Sequence, residues 1–425
     1  MSADITVGCA LTASDNEFID RKLAVTDRLL FEGYVGDSAT RQPVHTVYVP
    51  ADRYAPELAA EWGEQALDAV RSHGGIDALC TTLGLDASLA GEVAERVVEK
   101  LGAEPIEDLR LDFEDGYGDR GDEVEDKDAL AAARKLAEAV GSGVAPPFIG
   151  IRFKCFEAPA RARGLRTLDL FIGGLIAAGG LPDGLVLTLP KVSTVAQVEA
   201  MVYACQRLEA AHGLSAGRLR FEVQMETPQL ILGFDGTVPV AQLLHRAEGR
   251  ITALHYGTYD YSASLGIAPE YQSMEHPAAD FAKQVMQVAV AGTGVRLSDG
   301  STNIIPIGEP AVVAAAWQLH ARLVRRSLER GYYQGWDLHA AQLPSRFIAT
   351  YAFYRGGLTA ATSRLRNYVH HTESAIMDEP ATVRALAGFV HRGVACGAVT
   401  DVEVVELAGI TPARLAELAH PSAQN

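Results

Sequence analysis

The chain has 425 residues, 48% hydrophobic and 21% charged, with a formal net charge of -17 and five cysteines. That length suits one large barrel with an appendage or two to three ordinary domains, and the composition excludes a disordered, fibrous or membrane-spanning protein. The negative charge opposes binding to nucleic acid or anionic lipid. Cys9, Cys80, Cys155, Cys205 and Cys396 are scattered with no C-x-x-C pair, which excludes a disulfide framework and a zinc site of the usual spacing. Segment 1–22 has neither the basic region nor the apolar stretch of a secretory signal, which predicts a cytoplasmic protein.

Residues 1–44 carry no clear period and are expected to form an extension packed on the main domain. Short β-rich runs then recur at 45–50, 109–115, 148–153, 184–190, 221–226, 252–257, 303–307 and 335–339. Between them lie Ala/Leu-rich segments of helical period at 128–140, 193–211, 277–291 and 310–330, and an extra helix near 88–101 fits an insertion over 75–105. Strand and helix alternation implies parallel strands joined by helical crossovers, and eight such units predict a TIM (β/α)8 barrel over 45–355, with a doubly wound open sheet as the alternative. After 355 the rhythm stops, and segments 356–370, 379–396, 400–408 and 411–419 read as a C-terminal helical lid module, 356–425. Arg322, Arg325, Arg326 and Arg330 are spaced as the solvated face of a helix.

Active sites of TIM barrels lie at the C-terminal ends of the strands, so the residues closing each run carry the functional argument. Those residues are Asp112, Glu114 and Asp115 after the second run, Arg152 after the third, Lys191 after the fourth, Glu226 after the fifth, Asp260 after the sixth, and His339 with Gln342 after the eighth. Taken singly, a strand-end Asp caps the next helix and a strand-end Arg pairs with it. Together, carboxylates converging on one mouth repel unless cations compensate, and oxygen-only ligation favours Mg²⁺ or Mn²⁺. Glu226 and Asp260, closing two neighbouring strands, are the expected metal ligands, and Arg152 adds further positive charge.

These pieces resemble, in order, the HpcH/HpaI aldolase and citrate lyase β-subunit superfamily, in its malyl-CoA lyase and citrate lyase-like branch. The matching motifs are VYVPADR (47–53), LDFEDGYGD with Lys127 and Ala133-Arg134 beyond it, IGIRF (149–153), LTLPKV (187–192), VQMETP (223–228), ALHYGTYDYSASLGI (253–267), GWDLHAAQL (335–343) and AIMDEPATVRAL (375–386). The resemblance implies Glu226 and Asp260 as metal ligands, Arg152 as the clamp on a substrate oxygen, Gly257 and Thr258 as substrate-binding, and Glu114 and Asp115 as organisers of the metal's waters. It also implies that Asp378 acts as acid or base in a neighbouring subunit's site, hence a homo-oligomer, trimer or hexamer. The implied activity is a Mg²⁺- or Mn²⁺-dependent carbon-carbon lyase or aldolase acting through an enolate on a small carboxylic or 2-oxo acid, free or as its CoA thioester. Members that use coenzyme A commonly place Arg before the first strand and Pro-Gly after it; this chain has His45 and Pro50-Ala51.

Three other readings compete. Lys191 at a strand end suits a Schiff-base aldolase, the same metal site suits an acyl-CoA thioesterase, and a barrel without catalysis suits a binding or regulatory subunit. GLSAG (213–217) fits G-x-S-x-G but follows a helix and precedes a strand, the reverse of a nucleophile elbow, so Ser215 reads as a loop residue. His320 and the pair His370-His371 lack metal-ligand spacing.

Overall fold

Eight parallel strands alternate with helices in the computed structural model, which describes residues 10–370 and 379–421. The strands are β1 (His45–Pro50), β2 (Asp108–Asp112), β3 (Phe148–Arg152), β4 (Leu185–Leu189), β5 (Phe221–Met225), β6 (Ile251–Tyr256), β7 (Arg296–Ser298) and β8 (Gly335–Asp337). Each pairs with its sequence neighbour from β1 to β7, and β8 pairs with β1. A bridge between Ser298 and Gln334, with Asp299 N–H donating to Gln334 O at 2.8 Å, closes the ring between β7 and β8. The expected TIM barrel is therefore the fold.

Alternation along each strand fixes what the barrel contains. On β2, Leu109 and Leu111 are buried in the apolar layer between strands and helices, with Ile149, Ile151, Leu187, Phe221 and Val223. Arg110 of β2 instead bonds both Asp108 of its own strand and Glu222 of β5 across the interior, and Asp112 meets Arg152 of β3. The barrel interior is thus filled with paired charges where many barrels stack branched apolar side chains.

The seventh strand is a correction. It runs over 296–298, and 303–307 is a loop in which Ile304 and Ile307 are exposed. Pro306 has no N–H for a ladder, and the true strand, with Arg296 at its start, has too few apolar residues to announce itself. Ala13–Gly33 is a helix opened by a Thr12/Asp15 capping box, and none of its residues is buried. Packing on the barrel begins at its end, where the Tyr34 ring lies 5.5 Å from that of His245 and Gly36 N–H donates to Gly292 O at 2.8 Å.

A second apolar cluster joins the insertion to the C-terminal helices. Ala66, Val93 and Val97 of helices Leu58–Arg71 and Ala87–Ala103 share it with Phe347, Tyr351, Val390 and Val404. Helix Leu343–Val369 leaves β8 directly, and Pro380–Ala395, Asp401–Ala408 and Pro412–Ala419 follow. At its base Asp337 is fully buried and accepts from His45 Nδ1 at 2.7 Å, His320 Nε2 at 3.0 Å and Arg346 Nη2 at 2.9 Å. His320 Nδ1 bonds Ser345 Oγ at 2.8 Å, so a Ser, a His and an Asp are aligned, but all are buried in packing and none faces a cleft.

The arginines of helix Pro310–Glu329 and just beyond are ion-paired on its surface, Arg322 to Glu275, Arg325 to Glu329, and Arg326 and Arg330 to Asp280. Cys80, Cys155, Cys205 and Cys396 are buried and free. Among the described residues no helix is long and apolar enough to cross a membrane.

Candidate active site at the C-terminal mouth

The predicted residues meet where β2 to β6 end. Asp112 and Arg152 are register partners on β2 and β3, and the Asp112 carboxylate takes Nε and Nη2 of Arg152 at 2.7 and 2.8 Å. The same carboxylate accepts from the N–H of Glu114 at 3.0 Å and of Gly116 at 2.8 Å, which folds the chain back over the mouth. A Cβ at Gly116 would stand 2.7 Å from Asp112 Oδ2, so this turn needs glycine. The Arg152 guanidinium also lies 4.8 Å from the centroid of the Tyr48 ring, whose hydroxyl accepts from Gln224 at 3.2 Å. Burial opposes the Arg152 charge, but Asp112 and Glu114 outweigh it and hold the group firmly protonated. Nη1, the nitrogen left over from the clamp, faces Glu114 at 3.4 Å.

Lys191 closes the other side. It stands in the left-handed region at φ 49°, and its N–H donates to Glu226 Oε2 at 3.0 Å. Its Nζ donates to Glu114 Oε1 at 2.5 Å and to Asp115 Oδ1 at 2.7 Å. Desolvation works against the ammonium, yet these two carboxylates raise its pKa. Burial raises the pKa of Glu114; for the more open Asp115 the burial effect is overcome by Lys191 and the pKa falls.

Glu226 is the least compensated group here. It is 2% exposed, and Lys191 N–H is its one hydrogen-bond donor among the described residues. Desolvation, aided by the charges of Asp260 and Glu114 and only partly offset by Arg152, pushes its pKa up to about 8. Gly257 makes room for it, because a Cβ there would lie 2.3 Å from Glu226 Cγ. Asp260 is half-buried in the first turn of helix Thr258–Ser264, four residues beyond β6 rather than at the strand's end. No hydrogen bond to its carboxylate occurs among the described residues. Thr258 is buried with its hydroxyl unpartnered, and the absence of a side chain at Gly300 gives that hydroxyl its space.

A divalent ion fits this donor set. Two carboxylates with unused lone pairs, one of them buried and held towards neutrality for want of positive charge, offer the hard oxygens that Mg²⁺ takes alongside water. Among the described residues no group of three His, Cys, Asp or Glu side chains surrounds an ion, so the protein would contribute two ligands and solvent or substrate the rest. Asp378 lies outside the described residues. His339 caps the turn Ala340–Gln342 through its Nδ1, and Gln342 accepts from Leu338 N–H at 2.7 Å while donating to Thr302 O at 3.2 Å, so both hold the rim.

The sequence reading missed Asp112 as the Arg152 clamp, Tyr48 beneath the guanidinium, and the charge-paired interior formed by Asp108, Arg110 and Glu222. A signal was present: LRLD and FEVQME alternate apolar and polar with period two, as strands with a polar barrel interior must.

Fold and site together define a TIM-barrel protein with a carboxylate-rich, arginine-clamped mouth at the C-terminal ends of its strands. The chain belongs to the family described as Domain of unknown function (DUF6986), which it matches over residues 23–423. No curated protein matches it by sequence. Solved structures similar to it include malate synthase of Haloferax volcanii in a magnesium/glyoxylate complex, at 15% identity over 89% of this chain and 97% of that one, TM-score 0.48. Others are the citrate lyase beta subunit of M. tuberculosis complexed with oxaloacetate and magnesium (17%, 73% and 98%, TM-score 0.42) and an HpcH/HpaI aldolase/citrate lyase family protein of Burkholderia cenocepacia J2315 (14%, 73% and 93%, TM-score 0.39).

Proposed function

We propose that the protein is a divalent-metal-dependent carbon-carbon lyase or aldolase acting on a small carboxylic or 2-oxo acid, free or as its CoA thioester. The observation that carries this reading is Glu226: a buried carboxylate with one donor, its pKa pushed up to about 8 beside Asp260 and Arg152, is costly for structure and suited to a cation. Glu226 and Asp260 would hold Mg²⁺ or Mn²⁺, which when bound supplies the positive charge that a developing enolate oxygen requires. Arg152, fixed by Asp112 through two nitrogens and by the Tyr48 face, presents Nη1 to a substrate carboxylate or carbonyl oxygen. Gly257 and Thr258 line the same end of β6 and would seat the substrate. Glu114 and Asp115 hold Lys191 across the mouth and orient water there.

A Schiff-base mechanism at Lys191 requires a neutral amine. Two carboxylates raise the pKa of this lysine, which disfavours that reading. Asp378 remains the proposed acid or base. Tyr368 and Pro380, on either side of the segment that contains it, share a cleft with Arg414 and Leu418 of the C-terminal helices. As the resemblance implies, Asp378 would act in the site of a second copy of the chain, and the protein would be a homo-oligomer.

The test is calorimetric titration of Mg²⁺ and Mn²⁺ into chelator-stripped protein with and without pyruvate, oxaloacetate or acetyl-CoA, beside Glu226→Ala. Binding that the variant loses and one of these ligands strengthens is the expected result. A wild-type protein that binds neither ion ends the metal reading.

A further inference from the structure

The opposite end of the barrel holds a second set of charges that the proposed chemistry does not use. A cavity of about 270 Å³ opens at the N-terminal ends of the strands and reaches Arg110, Glu222 and His255 inside the barrel. Its rim carries three guanidinium groups, Arg218, Arg220 and Arg296, against one carboxylate, the exposed Asp183. The charged interior groups pair with one another, although among the described residues His255 Nε2 makes no hydrogen bond of good geometry. Arg110 Nη2 donates to Glu222 Oε2 at 2.8 Å and to Asp108 at 3.1 Å, and His255 Nε2 lies 3.0 Å from Glu222.

The rim arginines are not satisfied in this way. Arg218 holds the carbonyls of Leu181 and Pro182, and Arg296 holds the carbonyl and hydroxyl of Thr40, each through Nη2. Among the described residues Arg220 reaches only Gly249 O, at 3.4 Å. Among the described residues none of the three has a carboxylate partner. This stands out in a chain of net charge -17, whose interior cations at Arg110, Arg152 and Lys283 are paired. Partial burial lowers the pKa of both Arg220 and Arg296; at Arg296 the charge of Asp37 opposes this and that of Arg220 across the opening adds to it. A compact oxyanion between them would relieve both effects with charge-assisted hydrogen bonds.

We propose that this cavity is a binding site for a small oxyanion, a phosphate- or carboxylate-bearing molecule whose anionic group sits between Arg220 and Arg296 with its remainder towards Arg110 and His255. The site lies at the barrel end away from Glu226, so it stands independently of the reading of the mouth. The segment 34–44, which runs from the N-terminal helix into β1, supplies Ser38 and Thr40 to the cavity wall, so occupancy would also tie that segment to the barrel.

The experiment is calorimetric titration of inorganic phosphate, pyrophosphate and malonate into the full chain at constant ionic strength, for the wild type, Arg220→Gln, Arg296→Gln and Glu226→Gln. One anion per chain is expected, weakened about tenfold or more by either arginine change and unchanged by Glu226→Gln. Tighter binding of the phosphates or of malonate identifies which source supplies the oxyanion. Arg220 is exposed, so its variant keeps the test valid should Arg296→Gln unfold, which a thermal melt of each variant will show. Failure of all three anions to bind, or binding that Arg220→Gln leaves intact, overturns the proposal.

Discussion

Asp337 and Glu226 are both buried carboxylates of the same barrel, and they differ in what surrounds them. Asp337 receives two imidazoles and a guanidinium, and Arg346, His320 and His45 together overcome its burial and hold its pKa well below the usual range. Glu226 receives one backbone N–H, and burial pushes its pKa up to about 8. The first arrangement is complete without any other molecule. It joins β8 and β1 to helices Pro310–Glu329 and Leu343–Val369. The second lacks such compensation, as the proposed cation site requires. The difference separates structural charge from functional charge better than burial does, since both groups are almost fully enclosed.

The largest expected effect tests the structural half. Asp337→Ala leaves Arg346 buried without its counter-charge and two imidazoles without an acceptor, and should cost about 3–5 kcal/mol of folding stability in urea unfolding. A loss below about 1 kcal/mol would mean that the network contributes no more than a surface ion pair. On the functional half, Glu226→Gln should weaken Mg²⁺ or Mn²⁺ binding by at least about a hundredfold, as a ligand matters no less than the groups that support one. In chelator at neutral pH the same variant should melt at a higher temperature than the wild type, because it removes a desolvated acid. A lower melting temperature would place Glu226 in the same class as Asp337 and erase the contrast.

Gly257→Ala sharpens the comparison without touching a charge. Its new Cβ would overlap Glu226 Cγ, so the carboxylate must move. We expect a stability cost of about 1–3 kcal/mol together with metal affinity reduced by about tenfold or more. Equal affinity in the variant and the wild type, measured by titration, would show that the position of Glu226 does not set the site.

How far the sequence reaches follows the same division. Strands flanked by long periodic helices, β1 to β6, are legible because apolar residues facing the helix layer recur with period two; β8, only three residues long, is marked instead by its place in the strand-helix rhythm and by the GWDLH run. β7 is not, being three residues long with an arginine at its start, while the nearby Ile304-Ile305-Pro306-Ile307 run imitates a strand but forms a loop. The N-terminal helix has no buried face, its Phe18, Ile19, Leu23, Leu29 and Leu30 staying exposed, and its Thr12/Asp15 capping box is the clearest local signal of where it starts. At the mouth, Arg152, Glu226 and Asp260 stand out by position, whereas the role of Asp112 as clamp depends on a cross-strand register that only the folded sheet reveals. Asp337 reads from the sequence as a strand-end acid like the others. Its partners are His45, His320 and Arg346, from three distant segments, and no local pattern connects them.

The smallest effect follows from proton linkage in the two clusters. Burial, with help from Arg346 and His45, lowers the pKa of His320 despite the opposing pull of Asp337, so the native state keeps it neutral where the unfolded chain binds a proton. Its contribution is present above the unfolded value of about 6.5 and is lost as pH falls towards the folded one, at up to about 1.4 kcal/mol per pH unit. Burial lowers His339, His391 and His420 in the same direction. Glu226 acts oppositely: with a folded pKa of about 8 it is protonated in the native state, so its contribution favours folding at low pH and is lost as pH rises from the unfolded carboxylate value to about 8. Between about pH 5 and 6.5 the two slopes partly cancel in the chelated wild type. Glu226→Gln removes the opposing term, so stability measured by denaturant titration should fall more steeply on acidification in that variant. Adding His320→Gln should flatten the slope again, whatever it does to absolute stability, and a slope indifferent to both changes would show that neither cluster titrates as its surroundings dictate.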